Sequence, residues 1–253
     1  MIATTQSDID TLRQAGKILA QVLRDTAALV KPGVTTAALD LAAEESIRAH
    51  GAVPAFLNYK PIGAAYPYPA VLCVSVNDEV VHGIPTEAHV LHEGDVVTLD
   101  LGLSYNGLFV DSAITVCVGE GDAAAQKLLA GTKEALSVAI GAIKAGGRVG
   151  DIGAAVETVA RKYNLAIVTD LGGHAVGKSV HEKPFIANTG TAGTGEKLVE
   201  GMVLAIEPIL TEGKGAITLA EDEWTYRTRD HSRAAHFEHT ILVTREGAEI
   251  LTK

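Results

Sequence analysis

The sequence predicts an α+β fold in which two similar halves, roughly residues 1–120 and 121–253, form one domain. Two short motifs occur once in each half, and each half begins with two predicted helices that are followed by strands. A half of this kind is too thin to bury both faces of its sheet alone. The two halves are therefore expected to pack together as a single body.

The repeated motifs bring chemically active side chains from each half. Residues 81–85 read Val-His-Gly-Ile-Pro, and residues 180–184 read Val-His-Glu-Lys-Pro. Residues 93–100 and 200–207 both begin with Glu-Gly, continue as a largely apolar run and end on a carboxylate. Carboxylates that converge repel each other unless a positive charge lies between them. The duplication therefore suggests a metal centre at the seam between the halves.

Four helices are predicted from the apolar periodicity and from the glycines that interrupt it, over residues 7–30, 36–50, 122–144 and 151–163. Ser7 is the predicted N-cap of the first helix, because its hydroxyl can accept from a free backbone N–H. Two helices thus precede the motifs in both halves.

The predicted strands are residues 71–81, 96–103, 108–118, 203–210 and 239–244. Asn106-Gly107 is a favoured hairpin corner between the second and third of these strands. Asp100 and Asp111 are therefore expected on paired strands of one hairpin. Residues 58–69, which are rich in proline and glycine, are predicted to form an irregular loop.

Composition excludes several classes of protein. The net charge is −10 and no stretch is rich in Lys or Arg, which argues against direct nucleic-acid binding. No apolar run approaches the roughly 20 residues of a membrane helix, and the N-terminus does not read as a secretory signal. The two cysteines, Cys73 and Cys117, have no metal-type spacing and fit a reducing compartment. We expect a cytoplasmic monomer with no membrane contact.

Four carboxylates lie in apolar strands: Asp100, Asp111, Glu207 and Glu238. A single strand-borne Asp is more often a turn or salt-bridge residue, but unpaired burial of four carboxylates would cost several kcal/mol each at the least. A shared cation resolves this cost. Oxygen ligands with few nitrogens and no thiolate suit Mn, Fe or Co, with Zn also possible, and four carboxylates are enough to bridge two ions.

The sequence pattern selects the histidines of the predicted site less clearly than it selects the carboxylates. His174 follows Gly172-Gly173, where glycines allow close backbone approach, and is predicted to reach the site from a loop. Alternation places His236 on the same strand face as Glu238. The pattern alone does not rank His236 against its neighbours His231 and His239.

In chain order, residues 73–85, Asp100, Asp111, Gly173-His174, His181, residues 206–208 and residues 238–240 closely resemble the methionine aminopeptidase family in its bacterial type I form. The resemblance covers nearly the whole chain. It implies the pita-bread fold, which has two pseudo-symmetric halves with a curved antiparallel sheet and helices on its outer face. It also implies a single catalytic domain over residues 1–253.

Carried over residue by residue, the resemblance implies two divalent metal ions (Co, Mn, Fe(II) or Zn) held by Asp100, Asp111, His174, Glu207 and Glu238. Asp111 and Glu238 would bridge the ions, and Glu207 would also be the general base on a metal-activated water. The implied substrate-binding residues are His82 and His181, which would stabilise the scissile amide, and the pocket walls Tyr68, Cys73 and Trp224.

The chain departs from the family pattern at three places. Ala175 stands where glycine usually follows the ligand histidine, so its methyl group is expected to disturb the local backbone. Val180 replaces an aromatic residue before the second motif histidine, which is expected to open the side of the pocket. The loop over residues 59–66 is longer than usual. Metal binding is therefore predicted more firmly than strict methionine specificity.

The implied activity is removal of N-terminal methionine from peptides and nascent chains whose second residue is small. One alternative is a divergent hydrolase of the same fold with X-Pro specificity, although such enzymes usually carry an additional N-terminal domain. Another is a non-catalytic binding paralogue, whose signature would be lost ligands, yet all five are present. An iron oxygenase would instead keep two histidines and one carboxylate.

Overall fold

The computed structural model describes residues Met1–Lys253 and confirms the predicted α+β class. The helices are α1 (Gln6–Ala27), α2 (Thr36–Ala49), α3 (Ala123–Gly141) and α4 (Val149–Tyr163). The strands are β1 (Val53–Pro54), β2 (Leu72–Val76), β3 (Glu79–Val81), β4 (Val96–Tyr105), β5 (Leu108–Cys117), β6 (Ala166–Ile167), β7 (Gly172–Ala175), β8 (Glu182–Ala187), β9 (Val203–Ile206), β10 (Ile209–Thr211), β11 (Ile217–Leu219), β12 (Tyr226–Thr228), β13 (Ala234–His236), β14 (His239–Val243) and β15 (Ala248–Ile250). None of the four helices combines the length and the apolar character needed to cross a bilayer.

The helix pairs occur where they were predicted, but the predicted start and N-cap of α1 are wrong. Thr5, not Ser7, is the N-cap: its extended backbone lets the hydroxyl accept a hydrogen bond from the Asp8 N–H at 3.1 Å. Ser7 lies inside the first turn, where its own N–H is one of the groups that the cap leaves free. The predicted ends of α1 and α3 overshoot by three residues each, because the chain leaves both helices through tighter turns, in which the Val30 N–H donates to the Ala27 carbonyl and the Ile143 N–H to the Ile140 carbonyl.

Two predicted strands are each divided in two by a local break. The strand predicted over 71–81 becomes β2 and β3, because Asn77 adopts a left-handed conformation (φ 57°) in the turn between them. The strand predicted over 203–210 becomes β9 and β10, and Pro208 lies at the break, where it has no N–H to donate to a neighbouring strand. Both breaks lie beside predicted site residues.

The strands form two main antiparallel sheets, one in each half. The first-half sheet has the order β1-β4-β2 with β5 paired to β4, and the second-half sheet has the order β15-β14-β9-β7-β8. Two three-stranded sheets, β13-β10-β6 and β11-β12-β3, flank them. Helix α1 packs on β4 and β5, whereas α4 packs on β8 and on α3. One large apolar cluster lies within the second half, and the other joins the first half to second-half residues such as Val203 and Leu242.

Polar contacts join the two halves along β5. The Glu238 N–H donates to the Ala113 carbonyl at 2.9 Å, and the Ser112 hydroxyl donates to the Glu238 carbonyl at 2.6 Å. One residue pair further along, the Thr240 hydroxyl accepts from the Asp111 N–H at 2.9 Å and donates to the Asp111 carbonyl at 2.7 Å. This seam brings the carboxylates of the first half against those of the second.

Candidate active site

Strand register brings the two first-half carboxylates to one face of the β4–β5 hairpin. Asp100 lies opposite Ala113, and Asp111 is two residues before Ala113 on the same strand. Because side chains alternate with a period of two, both carboxylates point the same way. Asp100 is 8% exposed and Asp111 is 3% exposed. The predicted hairpin is confirmed.

The second half brings three more side chains to the same place. His174 on β7 lies opposite Ala205 on β9, and Glu207 follows Ala205 by two residues on the same face. His239 pairs with Ile206, which places Glu238 across from Glu207. The prediction that His174 lies on a loop is wrong, because it belongs to β7. Gly173 is required there: a Cβ on it would lie 2.2 Å from the Ala205 carbonyl oxygen.

The five predicted ligands form one cluster with the separations expected around metal ions. Donor atoms lie within 4.8 Å of one another in two groups, Asp100 with Asp111 and Glu238, and His174 with Glu207 and Glu238. His174 Nε2 is 3.6 Å from Glu207 Oε1 and 4.0 Å from Asp111 Oδ2. Asp111 and His174 form a third such group with His181.

The four carboxylates of the cluster all have raised pKa values. Burial and the neighbouring carboxylates raise the pKa of Asp111 to about 8 and hold the pKa values of Asp100 and Glu238 well above the ordinary range. Burial likewise raises the pKa of Glu207. The Oδ1 atoms of Asp100 and Asp111 are buried without a hydrogen-bond partner. Acceptor oxygens left free in this way fit a divalent cation.

The two motif histidines flank the cluster from opposite halves. His82 adopts a left-handed backbone conformation (φ 60°) directly after β3, and its ring lies 6.0 Å from the rings of both Trp224 and Tyr226. Burial, with help from the nearby His181 and His236, lowers the pKa of His82 to about 4. The imidazole is therefore neutral at physiological pH and can donate one N–H.

His181 lies at the cavity mouth, directly before β8. Its ring centroid is 4.4 Å from that of His174, and its Nδ1 is 2.8 Å from the Tyr59 hydroxyl. Burial lowers the pKa of His181 as well. Tyr59 belongs to the long loop over 58–69, which is irregular as predicted, and sequence reasoning did not single it out.

The cluster forms the floor of a cavity of about 490 Å³, and the three predicted wall residues Tyr68, Cys73 and Trp224 all line it. The Tyr68 and Trp224 rings meet edge to face with centroids 5.1 Å apart. Val180, which the sequence predicts to open the side of the pocket, is only 4% exposed and lies in an apolar cluster that also contains Phe56, a residue of the cavity lining. Phe56 supplies an aromatic side chain in that wall.

Ala175 and His236 lie next to predicted ligands of the cluster. Ala175 is 2% exposed, and the register between β7 and β8 shifts between His174 and Ala175, where a disturbance was expected. His236, which the pattern left unranked, lines the cavity with Nε2 3.4 Å from Glu207 Oε2. Its shared strand face with Glu238 was the signal that could have selected it. The remaining candidates lie elsewhere: His239 contacts Thr252, and His231 is exposed beside Asp78.

Comparison with known proteins adds independent evidence. Residues 10–245 match the profile of Metallopeptidase family M24. A methionine aminopeptidase from Aquifex aeolicus is 47% identical over 98% of this chain and 97% of its own length. The crystal structure of methionine aminopeptidase from Thermotoga maritima superimposes with a TM-score of 0.95, at 43% identity and with 100% of both chains covered. A prolidase from Pyrococcus furiosus, at 22% identity and a TM-score of 0.76, shares the fold; this chain covers 65% of it.

Proposed function

Because this chain belongs to metallopeptidase family M24 and has the pita-bread fold, we propose that it is a methionine aminopeptidase. It removes N-terminal methionine from peptides and nascent chains whose second residue is small. One observation carries this proposal: three buried carboxylates, the half-buried Glu207 and His174 converge on the floor of an aromatic-walled cavity, between two neutral imidazoles. The X-Pro alternative has only the shared fold in its favour.

The residues that would hold the metal are Asp100, Asp111, His174, Glu207 and Glu238, which together offer enough donor atoms for two divalent ions. The carboxylates supply the oxygen donors that Mn, Fe(II) and Co prefer, and the single imidazole also admits Zn. A divalent cation in this position supplies Lewis acidity and lowers the pKa of water.

Glu207 is the proposed general base. Its carboxylate lies within 3.6 Å of His174 and at the end of β9, where the break at Pro208 turns the chain away. As an ionised carboxylate it would accept a proton from the attacking water and deliver it to the leaving amine nitrogen. The Asn188 side chain donates to the Glu207 carbonyl at 3.0 Å and fixes the backbone at that point.

His82 and His181 are the proposed donors to the carbonyl oxygen of the scissile amide. Both are neutral, so each offers one N–H as negative charge develops on that oxygen. In the tautomer that this role requires, the Tyr59 hydroxyl donates to His181 Nδ1, and Nε2 keeps its proton. Tyr59 therefore fixes the tautomer of the donor.

The methionine side chain would occupy the pocket between Tyr68, Cys73 and Trp224. Aromatic edges and a neutral thiol suit a thioether, since sulfur–aromatic contacts add about 0.3–1.5 kcal/mol. Burial keeps the pKa of the Cys73 thiol well above its usual value, so the pocket stays uncharged. Discrimination against leucine rests on about 1–3 kcal/mol of shape complementarity.

Both cysteines are free, in keeping with action on nascent chains in the cytoplasm.

The test is release of free methionine from Met-Ala-Ser by protein stripped with a chelator and resupplied separately with Mn, Fe(II), Co or Zn. Metal-dependent release, with Leu-Ala-Ser left intact as the matched control, is the expected result. Confirmed metal binding without release under any of the four ions would contradict the proposed activity.

A further inference from the structure

His236 is a buried imidazole that the mechanism above leaves without a role. Only 2% of the residue is exposed, and neither ring nitrogen has a hydrogen-bond partner. Its backbone is held in place: the N–H donates to the Thr115 hydroxyl at 2.9 Å, and the carbonyl accepts from the same hydroxyl at 2.7 Å. A buried polar group without a partner costs about 1–3 kcal/mol, so its presence calls for an explanation.

The ring is directed at two carboxylates of the site. His236 Nε2 lies 3.4 Å from Glu207 Oε2 and 3.8 Å from Glu238 Oε2. On the other side, His174 Nε2 lies 3.6 Å from Glu207 Oε1. Glu207 thus has one imidazole beside each of its oxygens, and only one of these imidazoles is among the predicted ligands.

The two imidazoles differ in the contacts of their Nδ1 atoms. This difference indicates that His174 is a metal ligand and that His236 supports a ligand. His174 Nδ1 lies 3.0 Å from the Ala175 carbonyl, the kind of second contact that orients a metal-ligating histidine. His236 Nδ1 has no such contact, and His236 belongs to none of the residue groups spaced to hold one ion. A hydrogen-bond donor fits His236 better than a sixth ligand.

We propose that His236 is a positioning residue that donates an Nε2–H hydrogen bond to Glu207 and thereby fixes the orientation of the proton-accepting carboxylate; this rests on the function proposed for Glu207. A small rotation of the ring shortens the 3.4 Å separation to the about 2.9 Å of an ordinary N–H···O bond. Glu238 Oε2, at 3.8 Å, is a second carboxylate oxygen near the same ring nitrogen.

The deciding variants are His236→Gln and His236→Asn. The Gln amide nitrogen extends about as far as Nε2 and keeps the donor, whereas the Asn amide is one methylene shorter and falls short of Glu207. His239→Gln is the matched control, because His239 is a neighbouring histidine whose Nδ1 contacts the Thr252 hydroxyl at 3.0 Å and not the carboxylates.

Each variant is measured for the number and dissociation constant of bound Mn²⁺ by calorimetry on stripped protein, and for kcat and KM with Met-Ala-Ser. We expect His236→Asn to lose about 10- to 100-fold in kcat or Mn²⁺ affinity, the usual effect of removing an outer-sphere partner. KM should stay unchanged, since the substrate does not contact His236 in this role. His236→Gln and His239→Gln should behave like the wild type, with the same number of ions.

Three results would overturn the proposal. His236→Asn could match the wild type in kcat and affinity; Gln could fail to rescue what Asn loses; or both substitutions could lower the number of bound ions, which would make His236 a ligand. If the wild type released no methionine, the proposed function would fail, yet the Mn²⁺ affinities of the Asn and Gln variants would still decide the role of His236.

Discussion

His82 and His181 occupy the same position of the repeated motif, but the two halves of the molecule place them in different surroundings. His82 packs against Trp224 and Tyr226 in the pocket wall, with a left-handed backbone. His181 lies at the mouth, with Tyr59 as its hydrogen-bond partner. The repeat therefore determines which side chain reaches the seam, whereas the flanking elements determine how firmly it is held.

The carboxylates show a second difference between the halves. Asp100 and Asp111 in the first half have buried oxygens with no partner, and no histidine precedes or follows them on the hairpin. In the second half, Glu207 lies beside both His174 and His236. The first half thus contributes oxygen donors alone, and the second half contributes carboxylates whose orientation imidazoles can control. The proposed base, Glu207, is thus a carboxylate with an imidazole beside each of its oxygens.

The largest expected effect comes from Glu207→Gln. Removing the proposed base should lower kcat by about 10²–10⁴-fold while the fold is retained. Glu200→Gln is the control, because Glu200 begins the same motif but its side chain is 60% exposed, and it should leave kcat unchanged. If Glu207→Gln released methionine as fast as the wild type, the assignment of Glu207 as the base would be contradicted.

The next largest effect on kcat is expected from substituting either motif histidine. His82→Asn and His181→Asn should each lower kcat by about 10²–10³-fold, as expected for loss of one donor to a developing oxyanion. Asn tolerates the left-handed backbone of His82, so the substitution tests the ring rather than the turn.

Thermal unfolding separates the same two variants. His82→Asn should lower the midpoint more than His181→Asn, because the His82 ring is half-buried beside Trp224 and Tyr226, whereas His181 is exposed at the cavity mouth. Equal midpoints for the two variants would show that the packing difference between the halves has no energetic consequence.

A smaller effect is expected on the folding stability of the metal-free protein when the pH is changed. In the folded metal-free protein the pKa of Asp111 is raised to about 8, so near neutral pH the folded state holds protons that the unfolded state has lost. Stability then falls as pH rises, by up to about 1.4 kcal/mol per pH unit for each such proton. His82 and His174, whose pKa values are lowered to about 4 and about 3, act in the opposite direction only below about pH 6.5.

The window to examine is therefore pH 6.5 to about 8, which ends at the folded pKa of Asp111. The unfolding midpoint of chelator-treated protein should decrease across it. The midpoint of Mn²⁺-loaded protein should stay level, because its carboxylates are ionised in both states. If the unfolding midpoints of both forms changed with pH in the same way, the ion would not be neutralising the carboxylates.

The smallest expected effect is that of Tyr59→Phe, which removes the hydroxyl beside His181. One hydrogen bond contributes about 0.5–1.5 kcal/mol, so kcat should fall by at most about tenfold. Tyr66→Phe is the control in the same loop, since the Tyr66 hydroxyl donates to the Asp222 carbonyl and not to a motif histidine. A loss as large as that of His181→Asn would mean that Tyr59 itself acts on the substrate.

The sequence was sufficient for the features that depend on local pattern. The helix pairs, the β4–β5 hairpin and the shared face of Asp100 and Asp111 follow from periodicity, a turn signal and register. The family resemblance supplied the fold name and the ligand set. The short strand β7 was missed because Gly-Gly-His-Ala has no strand propensity, and only packing of Gly173 against β9 explains it.

What sequence reasoning missed at the site depends on contacts between distant segments. Phe56 lies in the same apolar cluster as Val180 although 124 residues separate them, and Tyr59 contacts His181 from a loop without regular structure. His236 had the strand alternation in its favour, yet its role depends on the 3.4 Å approach to Glu207 from another strand. No local pattern encodes such approaches.

The central claim is that the two halves converge on one metal centre at their seam. Anomalous diffraction from crystals grown with saturating Mn²⁺ tests it most directly. We predict anomalous peaks enclosed by Asp100 and Asp111 from the first half and by His174, Glu207 and Glu238 from the second. A map with no peak inside this cluster, or with peaks at other places alone, would contradict the account.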